Sequence, residues 1–279
     1  MTKIVLLGAG GKMGVRLAKN LIGSQYAVDH VEVTEEGRQR LKDETGLECV
    51  DADTAYPTAD VVLMAVPDNL IGRISAGFVD KLKPGACIMV LDAAAPHAGQ
   101  MPDRSDIAVF ATHPCHPPLF RNDIGEDVQA DYFGGEAADQ NIVCGLLRGT
   151  EDHYVLCEDI ARTIFAPVMK AHRCTIEQLA ILEPALSETI GATLALALRD
   201  AADMAVAKGV PKEAAMDFII GHLGIELAIA FDQFDGVFSD GAIHAIDQAK
   251  QVIFQENWLE RIFEPEAVLT SVKEICGIS

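Results

Sequence analysis

Residues 3–23 read KIVLLGAGGKMGVRLAKNLIG, and this stretch sets the fold. A short apolar run, residues 3–8, ends in glycine, the pattern of a strand buried on both faces of a parallel sheet. From residue 13 the period changes: Met13, Leu17 and Leu21 recur at helical spacing. Between the two lies GAGGKMG. Gly8 and Gly10 let the chain turn with unusual dihedrals and bring its backbone against a pyrophosphate, and Gly14 lets helix and strand pack closely. Gly11, Lys12 and Met13 complete the loop, which opens into a helix N-terminus with free N–H groups and a partial positive charge. The glycines fit G-x-G-x-x-x-G, one residue longer than the usual fingerprint, and equally G-x-x-G-x-x-G through Gly8, Gly11 and Gly14.

Working outward, the same alternation repeats. Residues 27–33 (AVDHVEV) form a second strand, followed by a polar helix over 35–45. Residues 59–67 (ADVVLMAVP), 83–94 and 107–114 supply further apolar strands, with a helix after the first of them. Residues 141–149 add another strand, 151–169 its helix, and 170–175 a last edge strand. The pattern predicts an open parallel sheet with helices on both faces, a Rossmann-type α/β domain. From residue 176 the chain is Ala/Leu-rich and helical. One long helix runs over 176–208, stopped by Gly209 and Pro211, and further helices follow over 212–235, 241–257 and 265–276. The expected division is therefore a dinucleotide-binding domain over 1–175 and an all-helical domain over 176–279. The segment DFIIGHLGIELAIAF (217–231) is apolar on more than one face, which predicts burial on several sides in a homodimer.

Composition narrows the function. The 279-residue chain carries 22 basic and 42 acidic residues, a net charge of −20. Such a field repels nucleic acid and anionic membranes, which need phosphate-neutralising Lys and Arg. No run of 18–20 consecutive apolar residues is present, the first residues do not form a signal peptide, and the seven cysteines show no C-x-x-C spacing. A reduced, cytoplasmic protein is expected. An anionic substrate would need local positive charge or a metal ion to hold it.

Several residues point to where chemistry occurs. Glu32 ends the second strand, placed to accept hydrogen bonds from the ribose hydroxyls of an adenosine. It would repel a 2′-phosphate, and Val33 rather than Arg follows, which favours NAD over NADP. Val66, Pro67 and Asp68 end the third long strand and are expected to line the same crevice near the nicotinamide. Residues 110–120, FATHPCHPPLF, place His113 and His116 at the carboxyl edge of the sheet, stiffened by prolines. Rigid backbone with imidazoles suits a ligand shell or a hydrogen-bonding platform. Cys115 reads as packing, and Arg121 as a partner for a substrate carboxylate. In the long helix, ILEPALSET carries Glu183, Ser187 and Glu188 within apolar surroundings. Glu183 and Ser187 share a face at i, i+4, and Pro184 predicts a kink. Carboxylates in an apolar helix are costly unless paired or bound to a cation. His222 and Glu226, also at i, i+4, read as a buried pair or as part of a site completed across a dimer.

The GAGGKMG start, ADVVLMAVPD, LKPGACIMVLDAAAP and the helical second half together resemble the superfamily of 6-phosphogluconate dehydrogenases, β-hydroxyacid dehydrogenases and ketol-acid reductoisomerases, over nearly the whole chain. The long helix of the first two groups carries a catalytic lysine. Here it has no lysine before Lys208, and carries Glu183 and Glu188, which is similar to the metal-dependent reductoisomerases. THPCHPPLF with LEPALSET most resembles the group of bacterial D-apionate oxidoisomerases. That resemblance implies NAD-dependent oxidation of a branched sugar acid, D-apionate, followed by migration of a hydroxymethyl group to give 3-oxo-isoapionate. It implies one divalent metal ion with His113 and Glu183 as ligands, Zn²⁺, Mn²⁺ or Fe²⁺ suiting a mixed N/O shell better than Mg²⁺. Glu188 is then the candidate proton acceptor, with His116 and Arg121 beside the substrate. A metal-free NAD-dependent β-hydroxyacid dehydrogenase without rearrangement, and a non-catalytic NAD-binding sensor, are the alternatives.

Overall fold

A computed structural model describes residues 1–121 and 125–278. Its seven strands form one sheet in the order β2-β1-β3-β4-β5-β6-β7. They are β1 (Lys3–Leu7), β2 (Ala27–Val31), β3 (Val61–Met64), β4 (Cys87–Val90), β5 (Ala108–Pro114), β6 (Gln140–Arg148) and β7 (Val168–Arg173). β1 pairs with β2 on one side and β3 on the other, all parallel. The chain thus reverses its winding between β1 and β3, and such a switch point opens a ligand crevice at the strands' carboxyl ends. β1, β3 and β4 are buried almost throughout, which is why they read as uninterrupted apolar runs.

Two expectations need correction. β6 runs antiparallel to β5, so the sheet is not wholly parallel. Among the described residues the connection between them carries only the five-residue helix Glu126–Ala130, too short to carry the chain back along the sheet as a parallel crossover does. The helix expected over 151–169 spans Glu151–Ile164. The residue preceding Pro167 is disfavoured in the α-region, and the chain turns into β7 instead.

Two compact units divide the chain: Met1–Glu183 with Leu269–Ser279, and Pro184–Val268. The first therefore extends eight residues past 175 and also recovers the C-terminal segment. The reason lies in packing. Ile176 and Leu179, in the first turns of the long helix, lie against Gly145 of β6, where a methyl group would come within 3.2 Å of Leu179. Val272 and Cys276 of the C-terminal helix, Pro265–Ile275, are likewise buried.

In the second unit, the helices Thr193–Ala207 and Lys212–Ala230 pack on each other around a turn at Gly209, whose φ of +99° suits glycine. Phe218, Ile220, Ile225 and Phe231 remain exposed. The helix Ile176–Ala207 is long and apolar enough to cross a membrane. It also carries Glu177, Glu183, Glu188, Arg199, Asp200 and Asp203, a charge load that is costly in lipid.

Candidate functional site

Three loops meet at the carboxyl ends of β1, β2 and β3. The first leads into helix α1 (Lys12–Leu21), capped at Gly11 with no side chain reaching its first turn. The structure separates the two readings of the glycine motif. Gly8 has φ +79°, and a Cβ there would lie 2.3 Å from the Ala65 carbonyl oxygen. A Cβ at Gly10 would meet the Gly37 carbonyl at 2.2 Å, and one at Gly14 would meet the Gly8 carbonyl at 2.0 Å. At Gly11 the nearest atom is 3.3 Å away. Gly8, Gly10 and Gly14 are therefore the sterically required set, and they shape a cradle that any side chain would fill.

Glu32 is buried at the rim of this cradle. Its Oε1 accepts from the backbone N–H of Val33 (2.8 Å) and Thr34 (2.9 Å) and from the Thr34 hydroxyl (3.1 Å). Its Oε2 accepts from the Gly10 N–H at 3.1 Å and keeps capacity for a further donor. Two nearby arginines are occupied by carbonyls: Arg38 donates to Glu32 O at 2.8 Å and Arg40 to Gly10 O at 2.6 Å. Val66 faces Gly8, and Pro67 precedes the helix Asp68–Phe78. These residues fit a dinucleotide whose pyrophosphate meets the α1 N-terminus and whose ribose meets Glu32.

Farther along the same edge, β5 delivers His113. Its Nδ1 lies 2.9 Å from the carbonyl of Leu91, just after β4. A carbonyl only accepts, so Nδ1 carries the proton and Nε2 of the neutral ring carries a lone pair. That Nε2 lies 3.5 Å from Glu183 Oε2. The capping box of Thr175 and Gln178 fixes the start of the long helix and so the height of Glu183 above the sheet. Lone pair and carboxylate face one another favourably only with a cation, proton or metal ion, between them. Among the described residues no cluster of three or more His, Cys, Asp and Glu could hold a metal ion. The two side chains therefore fit a cation only if substrate or water oxygens complete its shell.

The remaining candidates are distributed as follows. His116 has φ +59°, its Nδ1 is 2.8 Å from the Phe133 carbonyl, and its ring meets His113 edge-on at 6.0 Å between centroids. Cys115, expected to pack, is exposed, because strand alternation ends at Pro114. Arg121 donates to the Gln129 carbonyl at 3.0 Å. The kink expected at Pro184 is a π-helical stretch, Ile181–Ala192, in which the Thr189 hydroxyl donates to the Pro184 carbonyl at 2.7 Å. Its i→i+5 register changes the face-sharing expected of Glu183 and Ser187, and such widened turns recur at functional sites. Glu188 lies in this stretch, exposed, in the second unit. His222 and Glu226 are exposed rather than buried, and His222 Nδ1 lies 2.8 Å from the Phe218 carbonyl.

Sequence reasoning missed Asp92. Its Oδ1 accepts from the Ala94 N–H at 2.6 Å and its Oδ2 lies 3.8 Å from His113 Nδ1. The apolar context LDAAAP offered only the oddity of an acid at a strand end. It also missed the C-terminal segment. Burial, with the Asp68 and Asp92 carboxylates, pushes the Cys276 thiol up to about 11. No periodicity announces that return.

Comparison with known proteins places this geometry. Residues 121–276 match the family model described as phosphogluconate dehydrogenase (decarboxylating) C-term, and residues 1–139 match acetohydroxy acid isomeroreductase, NADPH-binding domain. A D-apionate oxidoisomerase of Rhizobium rhizogenes is 50% identical over 99% of this chain and 100% of its own length. A D-apionate oxidoisomerase of Cupriavidus necator is 49% identical over 98% and 99%. Among solved structures, a semialdehyde dehydrogenase NAD-binding protein from Cupriavidus necator, in complex with calcium and NAD, superposes with a TM-score of 0.97 at 49% identity, over 99% of both chains. An NADH-preferring ketol-acid reductoisomerase from an uncultured archaean shares the fold alone, with a TM-score of 0.67 at 16% identity over 99% of this chain and 82% of its own. With such identity over nearly the full length of both chains, the protein belongs to the D-apionate oxidoisomerase family, oxidoreductases of the superfamily that includes 6-phosphogluconate dehydrogenase and ketol-acid reductoisomerase.

Proposed function

We propose that the protein oxidises and rearranges a branched sugar acid, D-apionate, to 3-oxo-isoapionate with NAD⁺ as oxidant. The observation carrying this reading is His113 Nε2 facing Glu183 Oε2 at 3.5 Å, at the carboxyl edge of the strands that carry the dinucleotide cradle. The similar protein from Cupriavidus necator was crystallised in complex with calcium and NAD, which supports a dinucleotide and a divalent cation as ligands here. NAD is favoured over NADP because the fixed Glu32 carboxylate would repel a 2′-phosphate, and Arg38 and Arg40 already bind backbone carbonyls.

In the overall reaction C2 gives up its hydrogen as a hydride and its hydroxyl gives up a proton, leaving a ketone at C2. The hydroxymethyl group then migrates with its bonding pair from C3 to C2. The C3 hydroxyl gives up its proton to become a ketone as the C2 oxygen takes one up. One hydride and one proton leave in all, matching NAD⁺ going to NADH and H⁺. When bound, the dinucleotide supplies the hydride acceptor, and a divalent cation lowers the pKa of the hydroxyls it chelates. His113 and Glu183 would hold that cation, and Zn²⁺, Mn²⁺ or Fe²⁺ suits the imidazole–carboxylate pair. The Leu91 carbonyl keeps the His113 lone pair aimed at this position. His116, Arg121 and Glu188 are assigned to substrate orientation and proton transfer.

The portion through residue 175 serves as the dinucleotide-binding domain, and the helical portion from 176 serves substrate binding and dimerisation. Exposed Phe218, Ile220, Ile225 and Phe231 are the surface that a second copy would cover. Seven free thiols fit a reducing, cytoplasmic setting. The test is NADH formation from D-apionate and linear aldonates, with chelator and with divalent ions restored. Isotope-labelled carbon should show the skeleton rearranged. Oxidation that survives chelation and leaves the skeleton intact would replace this reading with a simple hydroxyacid dehydrogenase.

A further inference from the structure

The segment Asp131–Gly135 is built as a clamp between the dinucleotide helix and His116. Arg16, on α1, donates to the Gly134 carbonyl at 2.7 Å and to Asp131 Oδ1 at 3.3 Å. Its guanidinium also stands 5.4 Å from the centre of the Phe133 ring. One turn along α1, Asn20 donates to the Gly135 carbonyl at 2.9 Å. Gly134 and Gly135 have φ of +72° and +84°, and a Cβ at Gly134 would collide with the buried Gln140 side chain at 2.5 Å. Asp131 Oδ2 collects the N–H groups of Glu136, Ala137 and Ala138 at 3.0–3.2 Å. The loop so fixed presents two features of Phe133 to His116: its carbonyl, 2.8 Å from Nδ1, and its ring, edge-on at 5.9 Å.

We infer that Arg16 is a positioning residue: acting through Phe133 and Gly134, it fixes His116 as its Nδ1–H tautomer with the Nε2 lone pair turned away from the loop, beside His113. The Phe133 carbonyl can only accept, so the bonded Nδ1 must donate. His116 also sits in the left-handed region, which a non-glycine residue holds only when its surroundings impose it. The Phe133 carbonyl, 2.8 Å from Nδ1, and the edge-on Phe133 ring hold the imidazole of that residue in place. Because α1 also carries the pyrophosphate cradle, the loop gives His116 and the dinucleotide a common mount. The effect on turnover rests on the function proposed above, whereas the tautomer is read independently of any substrate.

The test uses protein labelled with ¹⁵N-histidine, at a pH where imidazoles are neutral, with His116 assigned from the signals lost in His116→Gln. The wild type should show His116 as a single Nδ1–H tautomer. Arg16→Gln should convert it to an exchanging mixture and lower kcat about tenfold, with KM for NAD changed by less than about twofold. Arg16→Lys, keeping a donor for the Gly134 carbonyl, should restore much of both. Should Arg16→Gln fail to fold, Asp131→Asn weakens the carboxylate that holds Arg16 and the loop N–H groups, and should shift the His116 signals the same way. An unchanged tautomer in Arg16→Gln, or in Asp131→Asn where that is the soluble variant, overturns the inference. A wild type inactive on D-apionate but showing these shifts would overturn the proposed function and leave the inference standing.

Discussion

Single residues set the finest tolerances, and the glycines show how unequal they are. Gly14→Ala would force a methyl group to 2.0 Å from the Gly8 carbonyl, whereas Gly11→Ala meets nothing nearer than 3.3 Å. Gly14→Ala should lose about 1–3 kcal/mol of stability, as overpacking does, and weaken NAD binding at least tenfold, while Gly11→Ala stays near wild type in both. Thermal melts with and without NAD check this. Asp131 gives a pH signature. Burial alone would raise its carboxyl, but the N–H groups of Ala137, Ala138 and Glu136, with Arg16, hold it below the ordinary value of 3.8. Its contribution to loop order is complete above that value and is lost as pH falls through the lower folded one. Hydrogen-exchange protection across 131–139 should therefore fall below about pH 4, and Asp131→Asn should abolish that dependence. At this scale the sequence was informative where chemistry and backbone coincide. Glycines after a strand and an acid eighteen residues beyond Gly14 locate the cradle. It could not separate Gly10 from Gly11, because their difference lies in the approach of Gly37 from another element. Nor could it find Asp92, whose meaning comes only from His113 lying across the strand edge.

At the scale of elements, buried strands and capped helices were legible because their period and punctuation are local. The direction of β6 was not, since an apolar strand looks alike whichever way it runs. The π-helical stretch at Pro184 was legible as a disturbance but not in kind. The 131–135 loop, polar and glycine-rich, carries no periodicity, and its order comes from Arg16 and Asn20 on α1. The start of the long helix offers a direct test. Thr175 accepts from the Gln178 N–H at 3.2 Å while the Gln178 side chain accepts from the Thr175 N–H at 2.9 Å. Thr175→Ala should cost about 1 kcal/mol in chemical denaturation. It should also loosen Glu183, two turns on, and so weaken divalent-ion binding without changing NAD affinity.

For the whole molecule, the net charge of −20 disfavours anions at long range, so an acidic substrate must be held by a few local groups. The sequence also placed the change from sheet to helices, but not the return of Leu269–Ser279 to the first unit, which rests on contacts far apart in the chain. Light scattering should find a dimer, and charged substitutions at Phe218 and Ile225 should yield monomers. A monomeric wild type would leave those exposed side chains without the proposed partner. The proposed chemistry depends above all on a cation shared by His113 and Glu183. The most direct measurement is anomalous diffraction from crystals grown with Mn²⁺, NAD and D-apionate. It should show one peak at about 2.0–2.3 Å from both His113 Nε2 and Glu183 Oε2, absent in Glu183→Gln. No peak there, with imidazole and carboxylate still in direct contact across the strand edge, would contradict the account.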